Sequence, residues 1–470
     1  MSRRAAIGLI GASVILAGCS SGPADWQRPQ VNLPPNWESA TAGGIDQPQA
    51  WWRNFQDPQL ATLVDRALRS NNDFASAVVR VRRAQLEADL TDTNRMPSIV
   101  AGASSGLTRG GNPVANVRAS GVATSVGYEA DLWGKLASQR NASRWEASAT
   151  QADCRSYAAA LVGTTAKLYW QLAYLNQLLG MADADIDYAE QTLALTRTRH
   201  EAGAISGLNT AEAALNLSTL RSVRAQQLQQ RAETRVAFAL LFDQPPAAIG
   251  GERAALPEGE LPPIGAGIPA EILANRPDVE AAELRLREAA AIVDATRASF
   301  YPSLTLTAGL GTASSGLLDL LRNPFGTLGA GLLLPFVQWP TARLTTAISR
   351  TQYEEAVLGF RQHLYTALAE VENALSARAS LQADERIQKV AVEQAHLAES
   401  MTRIRFESGA SDVQLWLDAQ QRARGVERSL VANRLNQLNN QADLYLALGL
   451  GSTADGIDCG QRPPPSGGAP

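Results

Sequence analysis

Histidine and cysteine are scarce in this chain, with three of each in 470 residues. His200, His363 and His396 stand apart with no ligand spacing, and each reads as a solvated residue on a helix surface. Cys19, Cys154 and Cys459 are equally scattered, so no metal site is expected, and Cys154 and Cys459 could pair or stay free. Basic residues form no cluster and the net charge is −4, which leaves no electrostatic reason to expect nucleic acid. Catalytic motifs are missing too. The G-x-S-x-G match "GASSG" at Gly102–Gly106 sits among small residues and does not lead into an apolar helix, unlike a nucleophile elbow. "GLGTASSG" lacks the third glycine of a dinucleotide loop, and no Walker A sequence occurs. An enzyme is not expected, and the chain has no energy source of its own.

What is present begins at the N-terminus. Arg3 and Arg4 precede an apolar run, Ala5 to Ala17, that ends in small residues, the layout of a secretory signal. The run is too short for a comfortable membrane-spanning helix. "LAGC", Leu16 to Cys19, resembles the bacterial lipoprotein pattern in which cleavage leaves a lipidated cysteine as residue one. A covalent lipid on Cys19 is therefore expected, and no cofactor. Ser20 follows where an Asp would favour inner-membrane retention, which points to the outer membrane. An ordinary signal peptide with a chance cysteine is the alternative.

An internal repeat sets the architecture. "RMPSIVAGASSGL" from Arg95 and "FYPSLTLTAGLGT" from Phe300 align at an offset of 205. "RTRHEAGAIS" and "RIRFESGASD" align at an offset of 206, which matches Arg199 to Arg405 and Gly203 to Gly409. The chain then divides into a signal peptide (1–18), an extended segment (19–59), repeat 1 (60–250), a linker (251–268), repeat 2 (269–450) and a Pro/Gly-rich tail (451–470). Each repeat reads helix, two strands, very long helix, glycine-marked turn, shorter helix.

The long helical patterns run from about Leu136 to Glu201 and from about Thr341 to Ser408. Leu168, Leu172, Leu175, Leu179, Ala182, Ile186, Ala189, Leu193 and Thr196 recur in steps of four and three. Ile387, Val390, Gln394, Leu397, Met401 and Ile404 repeat that spacing. About 65 residues at 1.5 Å rise make a rod of roughly 100 Å, and a sustained seven-residue period needs partner helices. The shorter helices, about Leu60 to Met96 and Leu208 to Phe242, together match one long helix in residues. The strands are short alternating runs. Leu304, Leu306, Ala308 and Leu310 alternate with Thr and Gly, and Leu328, Ala330, Leu332, Leu334 and Phe336 are expected on one face. Their partners, near Ile99 to Leu107 and Arg118 to Leu132, alternate less cleanly. Each is about the length of a tilted transmembrane strand. Four strands cannot close a membrane barrel alone, so several copies must contribute, and a trimer supplies twelve. Trp133 and Trp339 follow two strand ends, where an interfacial aromatic girdle is expected.

Several segments in order carry a family resemblance: "WWRNFQDPQL", "YEADLWGKL", "LANRPDVEAAELRLREA", "ASFYPSLTL", "EVENAL", "HEAGAISGLNTAEAAL" and "FESGASDVQLWLDAQ". The chain resembles the TolC-like outer-membrane efflux factor family, in its lipoprotein branch (OprM/NodT-like). The resemblance implies an α+β membrane protein: a trimeric twelve-stranded outer-membrane β-barrel, four strands per chain, continued by a long α-helical barrel across the periplasm. It implies passive export of small molecules, with a periplasmic membrane-fusion adaptor and an inner-membrane transporter of the RND type as partners, beside outer-membrane lipid. The glycine-marked turns map to adaptor-docking tips, with Gly203, Ala204, Ser206 and Leu208 on one and Gly409, Ala410 and Ser411 on the other. Asp418 and Gln414 map to the pore constriction, which favours cations when shut. The latches of TolC itself cannot form as drawn there, because Phe406, Ser411 and Asn209 occupy the matching positions. The strand exit "LPFVQWPTARL" also lacks the Phe-Asp-x-Gly common in the lipoprotein branch. A type I protein-secretion channel and a non-conducting periplasmic coiled-coil tether are the competing readings, and the tether predicts no membrane strands.

Overall fold

From the helix that precedes each hairpin onward, both copies of the repeat fold into the same succession of elements. The structure, a computed structural model, describes residues 28–39, 50–108, 117–245, 252–265, 275–314, 323–452 and 459–460. Cys19, the signal segment and most of the tail lie outside the described residues. Repeat 1 contains α1 (Pro58–Ser70), α2 (Asn72–Thr93), β1 (Ser98–Thr108), β2 (Val117–Ala130), α3 (Lys135–Glu201) and α4 (Gly207–Leu240). Repeat 2 contains α5 (Pro277–Ala298), β3 (Ser303–Ser314), β4 (Pro324–Leu333), α6 (Trp339–Glu407) and α7 (Val413–Ala447). The expected helix from Leu60 to Met96 is thus two helices. Asn71 divides them, because its side chain accepts the Phe74 N–H at 2.9 Å and caps α2.

The chain separates into two compact units, residues 1–31, 81–150 and 281–362 in one and residues 32–80, 151–280 and 363–470 in the other. Each draws on both repeats. In the first unit the four strands form one antiparallel sheet in the order β1-β2-β3-β4. The central pair, β2 with β3, joins the two repeats, with Val126 opposite Ala308 and Tyr128 opposite Leu306. Gly309 and Gly311 of β3 leave little room against the side chains of β4. A Cβ on Gly309 would stand 2.8 Å from the Thr327 Oγ1, and one on Gly311 2.8 Å from the Phe325 ring. Expected strand face and structure part company at one end: β4 stops at Leu333, so Leu334 and Phe336 do not continue it. Pro335 cannot donate to a ladder and starts a 3-10 turn, Pro335–Val337.

A carboxyl pair bolts the repeats together beside the sheet. Glu146 of α3 forms an ion pair with the Arg285 Nε of α5 at 3.3 Å and hydrogen-bonds Glu288 on the next turn of α5. Burial, then the charge and hydrogen bond of Glu146, push the Glu288 carboxyl up to about 7, against the opposing Arg285. A carboxyl raised in the folded state is neutral when it bonds its neighbour.

In the second unit, Trp51 and Trp52 of the 3-10 turn Trp51–Phe55 are fully buried, and Trp51 stacks on Tyr445 of α7 at 5.0 Å. Asp57 caps α1 through the N–H groups of Gln59 and Leu60, and also accepts from the Tyr169 hydroxyl at 3.0 Å and Arg253 at 2.7 Å. The two repeats close by matched joints. Asn71 donates to the Leu241 carbonyl in repeat 1, and Arg276 donates to the Ala447 carbonyl in repeat 2, 205 and 206 residues on. Arg276 also binds Asp278 and Glu370, each at 2.7 Å. Gly449, at φ +78°, has no room for a side chain, since a Cβ would stand 2.6 Å from the Asn275 carbonyl oxygen.

Cys154 and Cys459, whose pairing the sequence leaves open, form a disulfide across 305 residues, and both are buried. Cys154→Ser should lower stability by about 2–5 kcal/mol and abolish the faster migration of the unreduced chain on denaturing gels. An unchanged melting temperature and mobility would show that the bond does not form. For Glu288, the unfolded chain releases its proton at lower pH than the folded one. Its contribution to stability is therefore full below about 4.5 and lost as pH rises through about 7. Glu288→Gln should flatten the melting curve's pH dependence over that window; an unaltered slope would contradict the shared proton.

Candidate functional site

Two surfaces can carry function, the sheet and the pair of turns that end the long helices. Register separates the sheet's faces. Ile99, Val122, Val126, Tyr128, Leu304, Leu306, Leu310, Leu328 and Leu332 share one face. The other carries Ser104, Ser125, Thr305, Thr307, Thr327 and many glycines, with Val100, Phe325 and Leu333 toward its ends. The apolar face is open: Leu328 is 91% exposed and Leu310 74%. Single exposed leucines are ordinary, but a whole sheet face of them marks a surface for lipid. No described helix is long and apolar enough to cross a membrane. β1 and β4 have no second neighbour among the described residues, so each leaves a row of unpaired backbone groups.

The second unit builds both turns identically. Gly203 (φ +74°) and Gly409 (φ +77°) sit in the left-handed region that glycine reaches without penalty. The Ala204 N–H reaches back to the Arg199 carbonyl at 2.8 Å, and the Ala410 N–H to the Arg405 carbonyl at 2.8 Å. These bonds satisfy carbonyls that a helix end leaves free. Ser206 and Asp412 then occupy the N-cap positions of α4 and α7. Gly203, Ala204, Ser206, Leu208, Gly409 and Ala410 are exposed, and Ser411 is half-buried. Asp418 and Gln414 lie one turn apart on α7, with the Gln414 amide donating to the Asp418 carboxylate at 2.7 Å.

Arg199, matched to Arg405 by the repeat, joins the two turns together with Tyr188, Glu399 and Trp416, to which no sequence pattern gave a role. Arg199 donates to the carbonyls of Phe406 at 2.7 Å and Glu407 at 2.6 Å, and its guanidinium lies 4.8 Å from the centre of the Phe406 ring. Asn209 donates to the Asp412 carboxylate, which also caps α7 by accepting the Val413 N–H. Phe406 stacks on Trp416 at 5.5 Å. The Trp416 indole and the Tyr188 hydroxyl both donate to Glu399, at 2.9 and 2.7 Å. Burial, then the hydrogen bond and charge of Glu399, push the Tyr188 phenol up to about 12, so it stays a donor at any physiological pH. Asn209 and Phe406, read from sequence as obstacles to one kind of latch, are therefore parts of another.

The two heptad seams behave differently. Ala182, Ala189, Leu193 and Thr196 of α3 are buried, and Ala189 and Leu193 pack on Ala213, Leu217 and Leu220 of α4. Ile387, Val390, Leu397, Met401 and Ile404 of α6 are 48–68% exposed. Among the described residues, that second seam has no partner helix within the chain.

The model of the outer membrane efflux protein family matches residues 63–242 and 268–450. The pyoverdine export outer membrane protein OpmQ of Pseudomonas aeruginosa is 30% identical over 464 residues, covering 96% of this chain and 97% of that protein. The cation efflux system protein CusC of Escherichia coli is 29% identical, covering 93% of this chain and 97% of its own. Among solved structures, the outer-membrane channel OprN superposes with a TM-score of 0.84 at 22% identity, over 92% of this chain and all of that one.

Arg199→Ala removes two charge-assisted bonds between the turns, each worth about 1.5–3 kcal/mol. Amide exchange at residues 408–412 should accelerate at least about tenfold, as bonds of that size imply. Exchange at the wild-type rate would show that the clamp holds nothing.

Proposed function

The chain belongs to the outer membrane efflux protein family, and on that premise we propose that three copies form one channel that takes small molecules from a periplasmic adaptor and an inner-membrane transporter of the RND type. The protein is an outer-membrane efflux component and not an enzyme. The carrying observation is the sheet: a mainly apolar outer face, an inner face of mainly small and polar residues, and two edges unpaired among the described residues. Lipid offers no hydrogen bonds to an open edge, so each β1 must pair with the β4 of another copy. Three copies give twelve strands, enough for an aqueous bore, since about eight already enclose a filled interior. The exposed seam of α6 supports the same reading, because a heptad stripe of Ile, Val, Leu and Met is stable only against another helix. A coiled-coil tether has no use for such a sheet.

Within that channel, Asp418 and Gln414 stand at the constriction and the glycine turns receive the adaptor. The exposed Leu208 beside Gly203, 63% accessible, is suited to an apolar contact with an adaptor hairpin. Cys19 carries the lipid, an auxiliary anchor beside a spanning barrel. The cargo is small. Relatives named for pyoverdine export and cation efflux differ too widely in cargo for the chain alone to set it, which fits a passive duct loaded by its pump.

Leu397→Glu combined with Ile404→Glu places like charges on the α6 seam. The variant should lose trimers on native gels. In a strain deleted for the wild-type gene it should leave the accumulation of small toxic compounds severalfold raised. Intact trimers with full export would remove the seam from the assembly, and a deletion strain without altered accumulation would remove the export role.

A further inference from the structure

The Arg199 clamp has an unused twin. Arg199-His200-Glu201 ends α3 and Arg405-Phe406-Glu407 ends α6, residue for residue at an offset of 206. Both triplets run into the same glycine turn with the same backbone bonds. Arg199 is half-buried because it reaches across to the C-terminal carbonyls of α6, those of Phe406 and Glu407. Arg405 stands at the equivalent point and is exposed, and its guanidinium finds no partner within the chain among the described residues. The equivalent acceptors, the carbonyls of His200 and Glu201, end α3. The His200 carbonyl accepts only the Gly203 N–H at 2.9 Å, just as the Phe406 carbonyl accepts the Gly409 N–H at 3.0 Å before Arg199 is added.

We propose that Arg405 clamps the α3 carbonyls of His200 and Glu201 in a second copy of this chain, so that six arginine clamps, alternately within and between protomers, ring the channel tip. The occupant follows from the repeat. In a ring where turns of repeat 1 and repeat 2 alternate, each repeat 2 turn neighbours its own repeat 1 turn on one side and another copy's on the other. The contact seen on the first side supplies the geometry for the second. A helix C-terminus carries partial negative charge and free carbonyls, so a guanidinium fork suits it better than an ammonium point charge. His200 holds the repeat position of Phe406, and its exposed imidazole, 3.0 Å from the Ile205 carbonyl, offers a second copy's Arg405 an aromatic surface. The inference rests on the trimer proposed above.

Paired cysteines test it in the full-length protein extracted from membranes, where Cys154 and Cys459 are already joined. Arg405→Cys with Glu201→Cys, treated with a short bis-maleimide, should give covalent dimers and trimers on denaturing gels, and neither single variant should. Arg199→Cys with Glu407→Cys should cross-link within one chain and add no mass of a second copy. Native mass separates the two ways of failing. Trimers that yield no intermolecular product would overturn the clamp and leave the trimer standing, whereas an absence of trimers would overturn both. As a second readout, Arg405→Ala should raise resting conductance in planar bilayers at least threefold, and Arg405→Lys should fail to restore it. Wild-type conductance in Arg405→Ala would also overturn the proposal.

Discussion

An open sheet edge cannot face hydrocarbon, and the rest of this protein follows from that constraint. The backbone groups along β1 and β4 have no water to bond in a bilayer, and the chain has no further strand among the described residues to cover them. Self-association is therefore built into the protomer before any side chain is considered. The helices repeat the logic in water. The α3 seam is filled by α4, whereas the α6 seam is left open with five large apolar side chains on it. Strand edges and helix seam both call for another copy, by hydrogen bonding in one unit and by apolar burial in the other.

Duplication explains how one chain meets these demands with little invention. Each repeat supplies a hairpin, a long helix, a glycine turn and a return helix, and the copies are then differentiated at a few positions. Asn71 and Arg276 occupy equivalent joints and donate to equivalent carbonyls, but only the arginine also gathers two carboxylates. At the turns, Ser206 and Asp412 hold equivalent N-cap positions, but only the aspartate caps its helix with its side chain; Ser206 donates to the Asn209 amide oxygen, and Asn209 in turn donates to Asp412. Such differences turn a near-symmetric tip into one whose two turns are tied in one direction, from Arg199 and Asn209 toward repeat 2.

Periodicity and repetition made the element order, the strand pairs, the long helices and the glycine turns legible in the sequence, because each depends on local spacing. The disulfide was not legible, since Cys154 and Cys459 meet only through packing across 305 residues. The break at Asn71 was marked in the sequence by the run Ser70-Asn71-Asn72-Asp73, all residues that favour caps and turns, but the apolar spacing runs on across it. Alternation continues in the sequence past the end of β4, but the missing N–H of Pro335 is the stronger signal and the strand stops at Leu333. The tip network escaped because its acceptors are backbone carbonyls, which no residue pattern marks. The matched Arg199 and Arg405 triplets were visible as a repeat, but what they hold depended on the fold.

Electron microscopy of the purified protein in lipid nanodiscs tests the central claim most directly. The account requires a three-fold particle in which one barrel of twelve strands crosses the bilayer, with β1 of each copy paired to β4 of the next. Single copies, or three copies whose sheets remain apart in the membrane, would contradict it.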